Sequence, residues 1–484
     1  MVEDGRLVAA VEEERFRRLK HFAGFPAESI RCCLKMAGAS PSDVDFFAVS
    51  RNPKANLARK AFFAIRHRPG PGLVVDRLKN SGLVQDLPRR IAAELQLPVK
   101  SVREKTRWVE HHPAHLGSAF FVSPFEESAV CAIDGFGDFV STSAAVGREN
   151  KLNVIRKIFF PHSIGLLYLA LTQYLGFPKY GDEYKVMGLA AYGTPDFSSS
   201  IRKLIQPVRD GNFKLDLSYF QHWSGNVTMT WGDGEPVITK AYTEKLEQVL
   251  GPARQPDEPL EARHEAIAAS LQTVFEEVAF HVLNDVYRRT KLDRLCLAGG
   301  CAMNSVMNGK IRSHTPFREV YVQPASGDNG TALGAAYYVW NHVLNRSRRF
   351  IMEHAYWGPE YLQADIQSAL EENRREIAAE CQMRSVPNRE ELCTWTARAI
   401  ASGKIVGWYQ GRMEWGSRAL GNRSILADAR RPDMRDVINS KIKFREKFRP
   451  FAPSVLEEYL EDYFVGAVPD PFMIQVYVVR PEKR

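Results

Sequence analysis

Apolar positions recur along this chain with two periods, and the alternation between them predicts strands feeding helices. Ala129 to Asp134 (AVCAID) is an apolar strand that ends on an acid followed by glycine. Ser141–Gly147 and Leu152–Phe160 alternate as the two arms of a hairpin. Ile267, Leu271, Val274, Val278, Val282 and Val286 recur at helical spacing and predict a helix over 260–289. Further strands are predicted at Gly5–Glu12, Val44–Ser50, Trp108–Glu110, Arg294–Ala298 and Glu319–Val322. Helices are predicted over 28–38, after Glu110 through Ala119, over 164–175, from about Met303, and from the turn at 326–330 to about Val343. The pattern breaks at 345–362, the predicted boundary. Beyond it come a helix at 389–402, strands at Lys404–Tyr409 and Ser424–Ala427, a helix at 432–442 and a strand at Met473–Val479. Strands joined to helices through glycine turns predict an α/β chain. Residues 205–255 give no clear pattern.

Both ends predict an incomplete chain. The turn at Glu3-Asp4-Gly5 implies an earlier strand, and a domain should not finish on an interior strand such as 473–479.

Composition narrows the class. With 484 residues, 45% hydrophobic and 25% charged, the chain is an ordinary globular sequence of two or three domains. No apolar run reaches the ~18 residues of a membrane span, and the N-terminus lacks the apolar core of a signal peptide. Seven cysteines with no C-x-x-C pair predict free thiols in a reducing cytoplasm. The net charge of +8 is mild. It is uneven, however: residues 51–110 carry 14 Lys or Arg against 5 Asp or Glu. That is either a solvated basic surface or a face that attracts anions.

Candidate chemistry lies in five places. His111 and His115 are four apart, so on a helix they share a face and could share a divalent cation; they could equally cap or pack that helix. Asp134 ends an apolar strand in Asp134-Gly135-Phe136-Gly137-Asp138, which is either an acidic turn or a backbone built for close approach to a metal or phosphate. Gly299 and Gly300, followed by Asn304, join a strand to a helix start that could face an anion or nucleotide. Asp328 sits in a second acid-bearing glycine loop. With His111, His115 and Asp134 it would complete a shell of two imidazoles and two carboxylates, suited to Fe(II), Mn(II) or Zn(II). The stretch 411–450 holds 11 basic and 5 acidic residues, with Arg418, Arg423, Lys443, Arg445 and Arg449 among aromatics and glycines. Arginine forks match phosphate oxygens. No DNA- or RNA-binding signature is present, so a small phosphorylated ligand fits better than nucleic acid.

In order, EEERFRRLKHFAGFP (12–26), HHPAH (111–115), DGFGD (134–138), GDEYKVMGLAAYG (181–193), LAGGCAMNS (297–305), QPASGDNGTALGAA (323–336) and the block 411–454 resemble the O-carbamoyltransferase family. The resemblance implies an actin/sugar-kinase-like domain similar to the tRNA threonylcarbamoyl transferases over 1–350. It also implies part of a YrdC-like domain over 351–484. Family members make carbamoyl-adenylate from carbamoyl phosphate and ATP with Mg(II), then transfer the carbamoyl group, with a metal, to a hydroxyl of a sugar or natural product. Carried over by position, His111, His115, Asp134 and Asp328 would bind the metal, with Fe(II) first. Gly299, Gly300 and Asn304 would face the adenylate. Lys443, Arg418 and Arg449 would hold carbamoyl phosphate and the ATP phosphates, and His21 would meet the acceptor, with Lys185 of the 181–193 block a second candidate there. The implied partners are small molecules or a glycan, with no DNA, no membrane span and room for a homo-oligomer. The rival readings are a tRNA threonylcarbamoyl transferase and a non-catalytic nucleotide- and metal-binding remnant. The 205–255 stretch is where acceptor specificity would lie.

Overall fold

The computed structural model describes residues 1–224, 227, 229–230 and 234–483; parts of 205–255 thus lie outside the described residues. Five strands form the central sheet in the order Glu319–Val322, Arg294–Ala298, Glu127–Gly137, Val140–Arg148, Lys151–Phe159. The first two run parallel to Glu127–Gly137, and the last two continue it antiparallel. Glu127–Gly137 is the middle strand. Residues 128–134 are all buried, so both of its faces are covered, which is why the sequence reads there as an unbroken apolar run.

Two helix pairs provide the cover. Helix His111–Phe120 packs with Gly330–Tyr337, and Ile164–Tyr174 packs with the long helix Ala262–Thr290. The first pair crosses at glycines: a Cβ on Gly334 would lie 1.8 Å from the carbonyl oxygen of Ala114, and one on Gly117 2.9 Å from that of Gly334. Backbone therefore meets backbone, and the loop preceding Gly330 is drawn against the histidine-bearing helix. The second pair is capped by Ser163, whose Oγ accepts from Leu166 N at 3.1 Å and donates to the Gly135 carbonyl at 2.6 Å. Ala262–Thr290 is long and apolar enough to cross a membrane by composition, but 83% of its most apolar 18-residue window is buried within the fold.

The chain start departs from expectation. Val2–Glu3 pairs antiparallel with Arg6–Leu7, so the turn at Asp4-Gly5 does have both arms, each only two residues long. Strand Thr106–Trp108 lies slightly earlier than predicted and pairs in parallel with Phe47–Val49.

Residues 345–362 carry no helix or strand. Met352, Ala355, Trp357, Trp415, Phe472 and Ile474 nevertheless join the same buried cluster as the central sheet. The predicted strand Met473–Val479 is a correction. Only Val478–Val479 pairs, with Phe464–Val465. The Asp470 carboxylate takes the N–H groups of Phe472, Ile474 and Gln475, turning the chain there. Ile474 and Val476 then bond to the Ser305–His314 helix through Asn308 Nδ2 and the Ser305 carbonyl. Helices Gln363–Glu372 and Arg374–Glu380, unmarked by the sequence pattern, and Arg389–Ala401 bury none of their residues.

Candidate metal centre

Four predicted residues converge. His111 Nε2 lies 3.0 Å from His115 Nε2, 3.1 Å from Asp134 Oδ2 and 3.4 Å from Asp328 Oδ1. His115 Nε2 lies 3.5 Å from Asp328 Oδ1 and 3.9 Å from Asp134 Oδ2. One potential ligand atom from each residue falls within 4.8 Å of all the others. Ligands held about 2.0–2.2 Å from one ion sit roughly 3–4 Å apart, so the set fits a divalent cation in spacing and in mixed N/O chemistry. Both histidines are buried and Asp328 is 40% exposed, so the centre opens to solvent on the Asp328 side.

The local folding explains the convergence. The helix starts at His111, so its first N–H groups have no intrahelical acceptor; Asp138 Oδ2 accepts that of His111 at 2.9 Å. Pro113 suits this first turn. Asp134 sits where the regular pairing of the middle strand breaks, between Ile133 and Gly137, and its Oδ1 accepts the Gly300 N–H at 2.8 Å. That approach requires glycine at 299: φ is +92°, and a Cβ there would lie 2.2 Å from the Ile133 carbonyl oxygen. The Gly299 N–H in turn donates to Ser326 O at 2.8 Å, tying the Asp328 loop to the same turn. Arg51 holds Asp328 Oδ2 at 3.0 Å.

Electrostatics favours an ion. Burial, then Arg51, lowers the His111 pKa, so the ring gives up its proton to a cation more readily than a free imidazole. Burial alone would raise both carboxylates. The bond from His111 and the neighbouring histidines hold Asp134 well below its usual range, and His111, His115 and Arg51 hold Asp328 at about 2. Nδ1 of His111 and of His115 is buried with no hydrogen-bond partner among the described residues, so nothing but the shared centre fixes their tautomers.

The other predicted residues fall around this centre. Asn304 caps its helix by accepting from Met307 N at 2.9 Å and pairs twice with Gln272, so its amide is engaged inside the protein. His21 packs its ring edge-on to Tyr180 at 5.4 Å and lies over Gly181; burial lowers its pKa. Lys443 shares a basic cluster with Arg445, Lys20 and Arg449; desolvation, then these charges, lower its pKa. Arg449 lies over Tyr184 at 4.4 Å, and Arg423 over Tyr409 at 3.7 Å. Arg418 stands beside Asp470 with its Nε buried and unpartnered among the described residues. Lys185 bridges Asp182 and Glu446, both at 3.0 Å, joining the 181–193 block to the 443–450 loop.

Two residues that matter here were not singled out from the sequence. Glu12 Oε1 accepts from Asn329 Nδ2 at 2.9 Å and Gly416 N at 2.8 Å, linking the chain start, the Asp328 loop and the 411–423 loop. Glu183 has its pKa raised to about 7 by burial and by Asp182. Both lie inside motif blocks, but no spacing rule marks them.

Comparison with known proteins adds a family. A carbamoyltransferase N-terminus family model matches residues 1–337, and a carbamoyltransferase C-terminus model matches 397–484. The chain is 39% identical to an uncharacterized protein of Synechocystis sp., over all of this chain and 78% of that one. It is 36% identical to nodulation protein NolNO of Sinorhizobium fredii over all of this chain and 66% of that one. It is 37% identical to nodulation protein NolO of Bradyrhizobium diazoefficiens over 78% of this chain and 64% of that one. A solved structure, HypF of T. kodakarensis, is 17% identical, with 54% of this chain and 39% of that one covered at a TM-score of 0.28, a likeness too slight to carry an argument.

Proposed function

The chain belongs to the carbamoyltransferase family, and from that premise we propose an ATP-dependent O-carbamoyltransferase. Its acceptor is a hydroxyl-bearing small molecule or glycan in the cytoplasm. On this reading residues 1–350 form an actin/sugar-kinase-like transfer domain, and 351–484 belong to a YrdC-like domain that makes carbamoyl-adenylate from carbamoyl phosphate and ATP with Mg(II). The sheet supports the first assignment: three antiparallel strands continued by two parallel ones, with helices on both faces. The observation that carries the reading is the four-donor centre beside the Gly299–Gly300 turn.

His111, His115, Asp134 and Asp328 would hold Fe(II), or Mn(II) or Zn(II), and such an ion supplies Lewis-acid stabilisation of charge on a carbonyl or phosphoryl oxygen. The chain's own groups do the rest. Arg51 and the Gly300 N–H fix the two carboxylates. Lys443, Arg445, Arg449 and Lys20 concentrate positive charge for phosphate oxygens, and Arg418 offers a buried, unpartnered N–H. His21, neutral by virtue of its lowered pKa, accepts the proton of the attacking hydroxyl at a ring nitrogen.

Pyrophosphate release from ATP tests this, measured with and without carbamoyl phosphate and in the absence of acceptor. Release should require carbamoyl phosphate. It should fall by about 10²-fold or more in Lys443→Ala, by the scale of lost charge stabilisation, and persist in His111→Ala. Release that ignores carbamoyl phosphate, or that survives Lys443→Ala, would overturn the proposal.

A further inference from the structure

Amphipathic helices ordinarily turn their apolar face inward. Helix Leu57–His67 does the opposite. Phe63 is its only buried residue, set among His67, Phe139 and Phe160 at ring distances of 4.7, 5.5 and 5.2 Å. At ~100° per residue, Ala58, Ala61 and Ile65 lie on the side opposite Phe63, with Leu57 and Phe62 flanking them. That outward stripe is open to solvent: Leu57 is 58%, Phe62 58% and Ile65 76% exposed. No charged residue interrupts it between 57 and 65. Arg59 and Arg66 flank one edge and Lys60 the other, and Arg59 packs its guanidinium 4.7 Å from the Phe159 ring. The next helix, Pro71–Gln85, adds exposed Val75 and Leu83.

The charge around this face is one-signed. Residues 51–90 hold ten Lys or Arg and two Asp, an excess equal to the net charge of the whole chain. A partner must therefore be both apolar and anionic. Nucleic acid meets the second requirement, but gives Ile65 and Leu57 nothing to bury against. An apolar face with arginines at its borders has the composition of an interfacial helix.

We propose that Leu57–His67 docks this protein on an anionic lipid bilayer surface, with Leu57, Phe62 and Ile65 entering the headgroup boundary and the flanking Arg59, Arg66 and Arg68 meeting lipid phosphates. The face stands next to the metal centre. Arg51 binds Asp328, and Asn52 N and Asn56 Nδ2 bind Asp138 at 2.9 and 2.8 Å immediately before the helix begins. A docked protein thus carries the rim of its site at the membrane surface, where an amphiphilic acceptor would be presented.

Co-flotation with vesicles tests the proposal. The protein should float with phosphatidylcholine vesicles containing about 30% phosphatidylglycerol and not with phosphatidylcholine alone, and high salt should weaken binding. Phe62→Ser/Ile65→Ser and Arg59→Gln/Arg66→Gln should each weaken it about tenfold or more, with unchanged circular dichroism and melting temperature. Trp395→Ser, a control at an equally exposed aromatic on another helix, should bind normally. The proposal fails if anionic vesicles do not bind, if Phe62→Ser/Ile65→Ser floats like the parent, or if Trp395→Ser loses as much. It also fails if the apolar pair instead dissolves a dimer in light scattering without affecting flotation, which would make the face a contact between copies. Retention on RNA with no vesicle binding overturns it in favour of a nucleic-acid surface.

Discussion

Asp138 Oδ2 accepts the backbone N–H of His111 at 2.9 Å, and the same oxygen accepts that of Asn52 at 2.9 Å. The carboxylate is not among the four donors, yet it sets the position of the first. Asp138→Ala should lower affinity for Fe(II), Mn(II) or Zn(II) by about 10–100-fold, the scale for groups that orient metal ligands. His115→Ala should abolish stoichiometric binding. Equilibrium dialysis with metal analysis separates the two; equal binding in Asp138→Ala and the parent would remove Asp138 from the positioning role.

Glu183 gives a pH dependence of stability with a definite sign. Its folded pKa of about 7 stands above its ordinary 4.5 because burial disfavours the charged form. Below pH 4.5 the group is protonated in both states and costs nothing. Between 4.5 and 7 the unfolded chain loses its proton first, so stability falls as pH rises, and above 7 the penalty is constant. Glu183→Gln should therefore stabilise the protein by roughly 3 kcal/mol at pH 8 and by almost nothing at about pH 3.5. Urea melts at the two pH values measure it; a gain of equal size at both would show that ionisation is not the cause.

The helix crossing at Gly334 leaves no room for a methyl group. Gly334→Ala would place Cβ 1.8 Å from the Ala114 carbonyl oxygen, so the helices must part. Overpacking of this kind costs about 1–3 kcal/mol or more, and the displacement should reach Asp328 and weaken metal binding. Gly82→Ala, in the exposed part of helix Pro71–Gln85 with nothing within 4 Å of the added carbon, should instead gain roughly 0.5–1 kcal/mol from helix propensity. Thermal melts of both variants decide the matter, since the same chemical change has opposite expected signs.

Lys185 holds Asp182 and Glu446 at 3.0 Å each, with its side chain only 16% exposed. Lys185→Met keeps the stem and removes the charge, leaving Asp182 buried without its cation and Glu446 with only Arg449 at 3.8 Å. A loss of about 1–3 kcal/mol is expected, with faster proteolysis of the 443–450 loop. Unchanged cleavage there would mean that the ion pair does not hold the loop.

The sheet and its principal helices were legible because their apolar runs are long and their periods distinct. The metal-centre residues were legible as types at strand ends and on one helix face and as a candidate shell of four, but the path that brings them together was not. Asp134 and Asp328 are 194 positions apart, and only the parallel pairing of Leu295 with Ala129 and Val320 brings their loops to one edge. The outward face of Leu57–His67 was read only as excess charge, because an apolar stripe shows its period and not the side it faces. Met473–Val479 misled because its β-branched residues satisfy the strand pattern while Asp470, just upstream, takes the N–H groups a ladder needs.

Gln363–Glu372, Arg374–Glu380 and Arg389–Ala401 bury none of their residues, and short helices without an inward face have little beyond local propensity to hold them. Their opening free energies therefore sit near zero, while amides of the middle strand open only with the whole sheet. Those helices should therefore melt ahead of the sheet, as a separate unit. A scan that follows helicity and one that follows tryptophan environment will trace different curves, and no single transition midpoint describes both.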